Sequence, residues 1–202
     1  MSGSAVVASI STSVDGYYTG ADDGPGCGLG VGGERLHYWV FGGPWTYDAE
    51  RGFDEAGEVD KAFMAQALLS CGAVVCGRGT YEAAGAWGGS NPWDVPLFVV
   101  THRVQDQPAE DAGFVFVPDL QTGLARAREA AGDRNVNLMG GGAVLGQALA
   151  AGLVDELVLS TSPVLLGRGK RLFDGLGLDL GLEKVRAWDS PLATHVHYRV
   201  VR

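Results

Sequence analysis

The chain has 202 residues, of which 46% are hydrophobic and 9% aromatic. This length suits one domain and the composition is far from that of disordered chains, so we expect one globular domain spanning residues 1–202. The 15 basic and 24 acidic residues give a net charge of −9, which disfavours a nucleic-acid partner. No apolar stretch reaches the ~18–20 residues that cross a membrane.

Short apolar runs that end in turn residues alternate with helical patterns along the chain. In chain order, the patterns predict a strand at 6–10, a helix at 54–70, a strand at 73–76, a short helix at 81–86 capped by Thr80, strands at 97–100 and 114–117, a helix at 120–131 capped by Asp119, a strand at 136–139, a helix at 143–151, a strand at 156–161, and strands at 182–188 and 196–201. This order indicates an α/β fold with a mostly parallel sheet, covered by helices, and an antiparallel C-terminal edge.

One literal G-x-G-x-x-G pattern occurs at residues 28–33, but its surroundings do not suit a dinucleotide site. The pattern follows turn-forming residues rather than a strand, and no periodic helix opens at its end. We therefore interpret these glycines as part of a loop.

Three other turns follow predicted strands and carry groups that suit phosphate. Gly140–Gly142 separates a strand from a helix, where backbone N–H groups can bind a pyrophosphate; a tightly packed turn is the alternative. Gly77–Thr80 repeats this geometry with a cation, Arg78, and Thr101–Arg103 follows the next strand. Because open α/β sheets bind ligands at the carboxyl ends of their strands, we expect these turns to share one site.

Cysteine and histidine positions give no indication of a metal site. Cys27, Cys71 and Cys76 lack the spacing of zinc ligands, and the four histidines form no H-E-x-x-H pattern. We expect no metal ion, and we interpret Cys76 as a small buried side chain at the end of an apolar run. The first eight residues lack the features of a secretory signal, so we expect a cytoplasmic location.

Several segments together resemble the dihydrofolate-reductase-like fold and, within it, the reductase domain at the C-terminus of bifunctional riboflavin-biosynthesis deaminase/reductases. They are SVDG at 13–16, GRGTY at 77–81, PLFVVTH at 96–102, GGG at 140–142, GLVDEL at 152–157 and PVLLGRG at 163–169. The resemblance covers nearly the whole chain. It implies a three-layer α/β fold, with a mostly parallel mixed sheet, helices on both faces and an antiparallel C-terminal hairpin. No zinc-deaminase motif precedes these segments, so we do not expect the complete bifunctional enzyme.

The resemblance implies a site for NADPH. Arg78 and Arg103 would contact the 2′-phosphate, and Thr80 would contact the pyrophosphate. A dianionic phosphate suits arginine because charge-assisted bidentate bonds form, whereas NADH would leave the two cations unpaired. The residues expected at the cofactor are Gly77, Arg78, Gly79, Thr80, Thr101, His102, Arg103, Gly140, Gly141, Gly142, Ala143 and Val144.

The resemblance also implies a substrate site between the first strand and the first long helix. Asp15 and Asp60 are candidate catalytic residues there, as proton donors, and Tyr17 and Phe63 are candidate substrate contacts. Asp15 has the alternative role of forming an Asp-Gly turn, and Asp60 that of a solvated helix residue. The aromatic residues within 29–51 are either a lid over a flat heteroaromatic substrate or a small separate core.

These expectations lead to an NADPH-dependent reductase that transfers a hydride to a small heterocyclic substrate, pterin-like or aminopyrimidinone-like, or to a carbonyl substrate. Two alternatives stay open: a nucleotide-binding module of the same fold without turnover, and a reductase that uses another hydride carrier. The resemblance further implies a homodimer, formed through the C-terminal hairpin or an adjacent apolar face. We expect neither a membrane nor a nucleic acid as partner.

Overall fold

The computed structural model describes residues 4–47, 55–177 and 179–202, and an eight-stranded sheet forms its centre. The strands are β1 (Val6–Ser13), β2 (Tyr17–Thr19), β3 (Cys71–Gly77), β4 (Leu97–Val100), β5 (Phe114–Val117), β6 (Asn135–Met139), β7 (Glu156–Ser162), β8 (Lys170–Arg171), β9 (Gly181–Asp189) and β10 (Thr194–Val201). The α-helices are α1 (Tyr38–Phe41), α2 (Glu58–Ser70), α3 (Arg78–Ala83), α4 (Leu120–Ala131) and α5 (Gly142–Ala150).

The strand order in the main sheet is β5-β4-β3-β6-β1-β7-β10-β9. The first six of these strands pair in parallel, whereas β10 pairs antiparallel with both β7 and β9. The short strands β2 and β8 form a separate antiparallel pair. This topology confirms the predicted mostly parallel sheet with an antiparallel C-terminal hairpin.

Apolar side chains cover both faces of the sheet, as the alternation along β3 illustrates. Val75 belongs to the largest core cluster, which packs under α4 and α5 through residues such as Leu124 and Leu145. Val74 points to the other face, where β3, β4 and β5 are covered by aromatic side chains that include Trp87. A third cluster lies between α2 and the β7-β10 part of the sheet. Helices therefore lie on both faces, which confirms the three-layer fold.

Most predicted elements match the structure closely. The strands at 97–100 and 114–117 and the helix at 120–131 have the predicted bounds. The first strand is longer than predicted, and the helix predicted at 54–70 begins at Glu58; residue 54 itself lies outside the described residues. Within the described part of the chain, no helix is long and apolar enough to cross a membrane.

The predicted cap of the third helix is wrong. Thr80 lies inside α3, whose N-cap is Gly77, because β3 runs directly into the helix without an intervening loop. The helix also ends earlier than predicted, at Ala83, since Ala86 and Trp87 adopt left-handed backbone conformations with φ of 50° and 47°.

We expect the replacement Asp119→Ala to lower the free energy of unfolding by about 1 kcal/mol. The carboxylate of Asp119 caps α4 by accepting from the N–H of Thr122 at 2.8 Å, and the threonine hydroxyl also donates to it. Urea denaturation would measure the loss. Asp133→Ala, at an exposed aspartate just after α4, is the matched control. Equal effects of the two replacements would contradict the capping role.

Candidate functional site

Three turns that follow parallel strands meet at one edge of the sheet. The pairing register sets Gly77 of β3 beside Val100 of β4, and Cys76 of β3 beside Met139 of β6. The turns that follow β3, β4 and β6 therefore begin side by side. These are the three turns in which the sequence predicts phosphate-binding groups.

The glycine turn after β6 leads directly into α5. Gly140 and Gly141 are joined by a cis peptide, and Gly140 has a φ of +23°. The ring of Tyr18 packs on this turn so closely that a Cβ atom at Gly142 would lie 2.4 Å from it. Only glycine therefore fits at position 142. A Cβ atom at Gly141 would lie 3.5 Å from Oγ1 of Thr80. The Thr80 hydroxyl therefore lies close to the start of α5, whose first N–H groups lack partners within the helix and suit an anion.

The end of β3 also packs against α5, and a side-chain hydrogen bond shapes the turn after β4. A Cβ atom at Gly77 would lie 2.6 Å from Cγ2 of Val144, so β3 and α5 are packed closely at this point. The buried hydroxyl of Thr101 accepts from the N–H of Arg103 at 3.0 Å and so shapes the turn after β4. His102 and Ala143 are exposed.

Both predicted arginines belong to one ion-pair network. Oε1 of Glu82 accepts from Nε of Arg78 at 2.8 Å and from Nη2 of Arg103 at 2.7 Å. Oδ2 of Asp106 lies 3.5 Å from Nη2 of Arg78 and 3.5 Å from Nε of Arg103. The hydrogen bond from Arg78 lowers the pKa of Glu82, so its carboxylate is ionised at neutral pH. We call these four residues the charge quartet; two cations and two anions leave it without net charge.

The guanidinium of Arg78 is held by aromatic rings as well as by carboxylates. Its Cζ lies 5.6 Å from the ring centre of Tyr81 and 5.2 Å from that of Phe116. Such contacts fix the plane of a guanidinium through its attraction to the ring faces. Its Nη1 atom is buried and has no hydrogen-bond partner among the described residues. The contacts thus fix the orientation of the Arg78 guanidinium, and its Nη1 can still donate hydrogen bonds.

An open cleft of about 630 Å³ lies beside the charge quartet. Gly24 and Pro25, in the glycine-rich loop of residues 20–33, line one side, and Gly79, Tyr81 and Glu82 of α3 line the other. The G-x-G-x-x-G segment lies in this loop and follows a loop residue rather than a strand. Its first glycine, Gly28, packs so closely on α3 that a Cβ atom would lie 2.4 Å from the carbonyl oxygen of Ala83.

In the region where a substrate was predicted to bind, Asp15 connects a turn to the segment that follows β7. Its carboxylate accepts from the N–H groups of Leu166 at 3.1 Å and Gly167 at 2.8 Å. Hydrogen bonds, the largest from the Ser13 hydroxyl, lower the pKa of Asp15 to about 2. An ionised carboxylate has no proton to donate, so this environment favours the turn-forming role over proton donation. Tyr17 is tied to the same segment, because its hydroxyl donates to the carbonyl of Gly167 at 3.3 Å.

Asp60 lies in a buried polar chain rather than on a solvated helix face. Its side chain is 1% exposed, and Oδ1 lies 2.9 Å from Nε2 of the fully buried His195. Nδ1 of His195 lies 2.7 Å from Oγ of Ser160. A carboxylate oxygen accepts from an N–H group, so Nε2 of a neutral His195 donates to Asp60 and Nδ1 accepts from Ser160. Burial lowers the pKa of His195 despite the nearby carboxylate, which agrees with a neutral imidazole.

Phe63 is part of the aromatic cluster that surrounds this chain. Its ring stacks on His195 with centroids 4.0 Å apart, and the indole of Trp39 lies edge-on to the imidazole at 4.6 Å. Trp39 also donates from Nε1 to the Ser11 hydroxyl at 3.2 Å. A substrate could reach Asp60 or Phe63 only if this cluster opened, because both side chains are more than nine-tenths buried. The rest of the aromatic segment includes Trp45, which packs on its neighbours in sequence, while residues 48–51 lie outside the described residues.

Sequence reasoning missed four residues of this site. Glu82 carried a usable signal, since it lies four residues after Arg78 on one helix. Asp106 carried a weaker one, three residues after Arg103. Ser160 and His195 carried none, because their partners lie far away in sequence. Among the described residues, no group of three or more His, Cys, Asp or Glu side chains could hold a metal ion.

The protein should lose stability as the pH falls below about 6.5, the ordinary pKa of histidine. Burial lowers the pKa of His37 to about 4 and also lowers that of His195. The His37 imidazole therefore stays neutral in the folded chain above about pH 4 while the unfolded chain binds a proton, and the lowered pKa of His195 acts in the same direction. From His37 alone we expect a loss of about 2 kcal/mol between pH 6.5 and 5, measured by urea denaturation.

His37→Gln is the matching variant, and its stability should depend less on pH across this range. Asp15 does not interfere, because the lowered pKa of its carboxyl contributes only below about pH 4. An equally steep profile in the variant would refute the assignment to His37.

Comparison with solved structures supports the fold described above. The chain is 22% identical to a protein described as a riboflavin biosynthesis protein from Shewanella sp. PV-4, over 98% of this chain and 99% of that one, with a TM-score of 0.70. A dihydrofolate reductase from Enterococcus faecalis complexed with NADP(H) is 17% identical, over 98% and 97%, with a TM-score of 0.60. A pyrimidine reductase-like protein from Corynebacterium diphtheriae is 15% identical, over 98% and 92%, with a TM-score of 0.61.

At these identities the likeness establishes the fold alone. Comparison with proteins of curated function gives no significant sequence match. The family comparison reaches further, because the model of the RibD C-terminal domain matches residues 4–195, which is nearly the entire chain. The match agrees with the resemblance carried by the turns after β1, β3 and β6. The chain belongs to the RibD C-terminal domain family.

Proposed function

We propose that this protein is an NADPH-dependent reductase that acts on a small heterocyclic or carbonyl substrate. One observation carries the proposal: the sheet register brings the two arginines, the Thr80 hydroxyl and the Gly140–Gly142 turn to a single edge. Membership of the RibD C-terminal domain family supports a reductase. The proposal treats residues 1–202 as one domain, and the expected cytoplasmic location stays a prediction.

The residues at this edge fit a dinucleotide phosphate. The glycine turn and the first N–H groups of α5 suit a pyrophosphate, and Thr80 adds a hydroxyl donor beside them. Arg78 and Arg103 suit a 2′-phosphate, and the cleft of about 630 Å³ beside them has room for a nucleoside. When bound, NADPH would supply the hydride. We propose cofactor-binding roles for Gly77, Gly79 and Val144 as well, because they lie at the same edge of the sheet.

In this reaction the chain itself would position the cofactor and the substrate, and it would supply a proton. Hydride transfer depends chiefly on alignment of donor and acceptor, which rigid strand ends provide. Of the two predicted proton donors, we retain Asp60: its carboxylate accepts from Nε2 of His195, so it could donate only after taking up a proton through the hydrogen-bonded chain that His195 and Ser160 form. Asp15 would instead hold the substrate-side turn in place. Tyr17 and Phe63 remain the proposed substrate contacts.

The substrate class is proposed as a pterin-like or aminopyrimidinone-like heterocycle, or a carbonyl compound. The names of two similar structures, a dihydrofolate reductase and a pyrimidine reductase-like protein, support flat nitrogen heterocycles. The aromatic cluster of Trp39, Phe63 and Trp188 would suit this class if it opened, because ring faces stack well on flat heterocycles.

Replacement of Arg78 by alanine should weaken NADPH binding by about 30-fold and leave NADH binding within about twofold. The arginine would contact the one phosphate that NADH lacks. Titrations that follow tryptophan fluorescence would measure both affinities, and Trp87 is a suitable reporter because its ring packs against Tyr81, which contacts Arg78. Arg134→Ala is the control, since Arg134 is exposed just before β6, at the other end of the sheet.

The same titrations, together with an assay of NADPH oxidation by added acceptors, separate the alternatives. Comparable affinity of the natural chain for NADPH and NADH would reject the cofactor assignment. Tight NADPH binding without oxidation by pterins, aminopyrimidinones or quinones would indicate a nucleotide-binding module without turnover. Unchanged binding in the Arg78→Ala variant would favour a different hydride carrier.

We also propose that the chain forms a homodimer through α2 and β9. Strand β9 is an edge strand whose other side has no partner strand in the described sheet, and Leu182 and Val185 on it are 44% and 48% exposed. On the adjacent α2, Leu68 and Leu69 are 57% and 81% exposed. A long exposed edge with apolar side chains is a surface that proteins usually cover. A second copy would cover it by twofold symmetry.

Leu69→Asp should therefore convert the dimer to a monomer. A charge in place of an apolar side chain is costly to bury in an interface, whereas it is harmless on an exposed helix. Light scattering would show a fall from twice the chain mass to the chain mass of 21.1 kDa. Leu165→Asp is the control, because Leu165 is 68% exposed but lies in another region. A monomeric natural chain would refute the proposal.

A further inference from the structure

We propose that Glu82 and Asp106 are specificity-determining residues, which compete with the 2′-phosphate of the cofactor for Arg78 and Arg103. Glu82 is the stronger competitor. The inference rests on the proposed NADPH site, and it adds that the preference for NADPH is set by the acidic partners of the arginines as well as by the arginines.

The charge quartet offers no net positive charge to an incoming phosphate. Two guanidinium groups face two carboxylates at 2.7 to 3.5 Å. The chain as a whole carries a net charge of −9, so its long-range field also repels an anion. A 2′-phosphate can therefore form hydrogen bonds with the arginines only where it displaces the carboxylates from them.

The geometry separates the roles of the two acids. A single oxygen of Glu82 bridges both arginines, with distances of 2.8 Å and 2.7 Å. The oxygen of Asp106 is 3.5 Å from each arginine, at the limit of a hydrogen bond. Charge-assisted bonds weaken steeply with distance, so a phosphate would displace Asp106 more easily than Glu82.

Glu82 also faces the cleft in which the nucleoside is proposed to lie. A carboxylate at that position repels a dianionic 2′-phosphate, whereas it can accept a hydrogen bond from the 2′-hydroxyl of NADH. The same side chain therefore acts against one cofactor and in favour of the other. Removal of its charge should strengthen the preference for NADPH.

The test compares Glu82→Gln with the natural chain by calorimetric titration. Adenosine 2′,5′-bisphosphate and adenosine 5′-monophosphate are suitable probes, because they differ only in the 2′-phosphate. We expect Glu82→Gln to bind the bisphosphate about tenfold more tightly and the monophosphate within twofold, and Asp106→Asn to show about a threefold gain. The ratio of NADPH to NADH affinity should rise by the same factors. Glu129→Gln, an exposed glutamate on α4, controls for the change in overall charge.

The outcomes distinguish this inference from the proposed function. If Glu82→Gln matches Glu129→Gln, or binds the bisphosphate more weakly than the natural chain, Glu82 does not compete, and the inference fails even where NADPH is oxidised. If the expected gain appears but no acceptor is reduced, the competition stands and the reductase proposal fails. If no variant binds either probe, both the inference and the cofactor site are refuted.

Discussion

The parallel pairing of β3 with β4 and β6 is the constraint on which the candidate site depends. It aligns three strand ends, and each of the turns that follow supplies a different group. Helix α4 packs closely enough to support this part of the sheet because Gly123 has no side chain; a Cβ atom there would lie 3.1 Å from Val117 and 3.4 Å from Val100. Loss of that alignment would separate the arginines from the glycine turn.

Much of the fold could be predicted because its signals are local. Strands β4 and β5 are apolar runs between turn residues, and α4 has an aspartate cap at one end and a glycine stop at the other. The wrong prediction for Thr80 has an equally local reason. A threonine after glycine is a common helix cap, but here β3 continues directly into α3 and the helix starts before it.

The candidate site was predicted less completely, because its decisive contacts join distant residues. His195 and Asp60 are 135 residues apart in sequence, and no spacing rule connects a strand near the C-terminus with α2. Arg78 and Arg103 were predicted as cations of a cofactor site from their positions after strands, but the acids that neutralise them depend on how the turn after β4 folds over α3. The residue types therefore predicted a cationic site, whereas only the tertiary structure shows that two carboxylates neutralise the two arginines.

Tyr18 joins the two halves of the site. It follows Tyr17 on β2, in the region tied to the segment after β7, and its ring packs on Gly142 at the start of α5. A ligand that orders the glycine turn therefore also restrains the strand that borders the substrate side. By linkage, each ligand should raise the affinity for the other, and the cofactor would prepare the place into which the substrate binds.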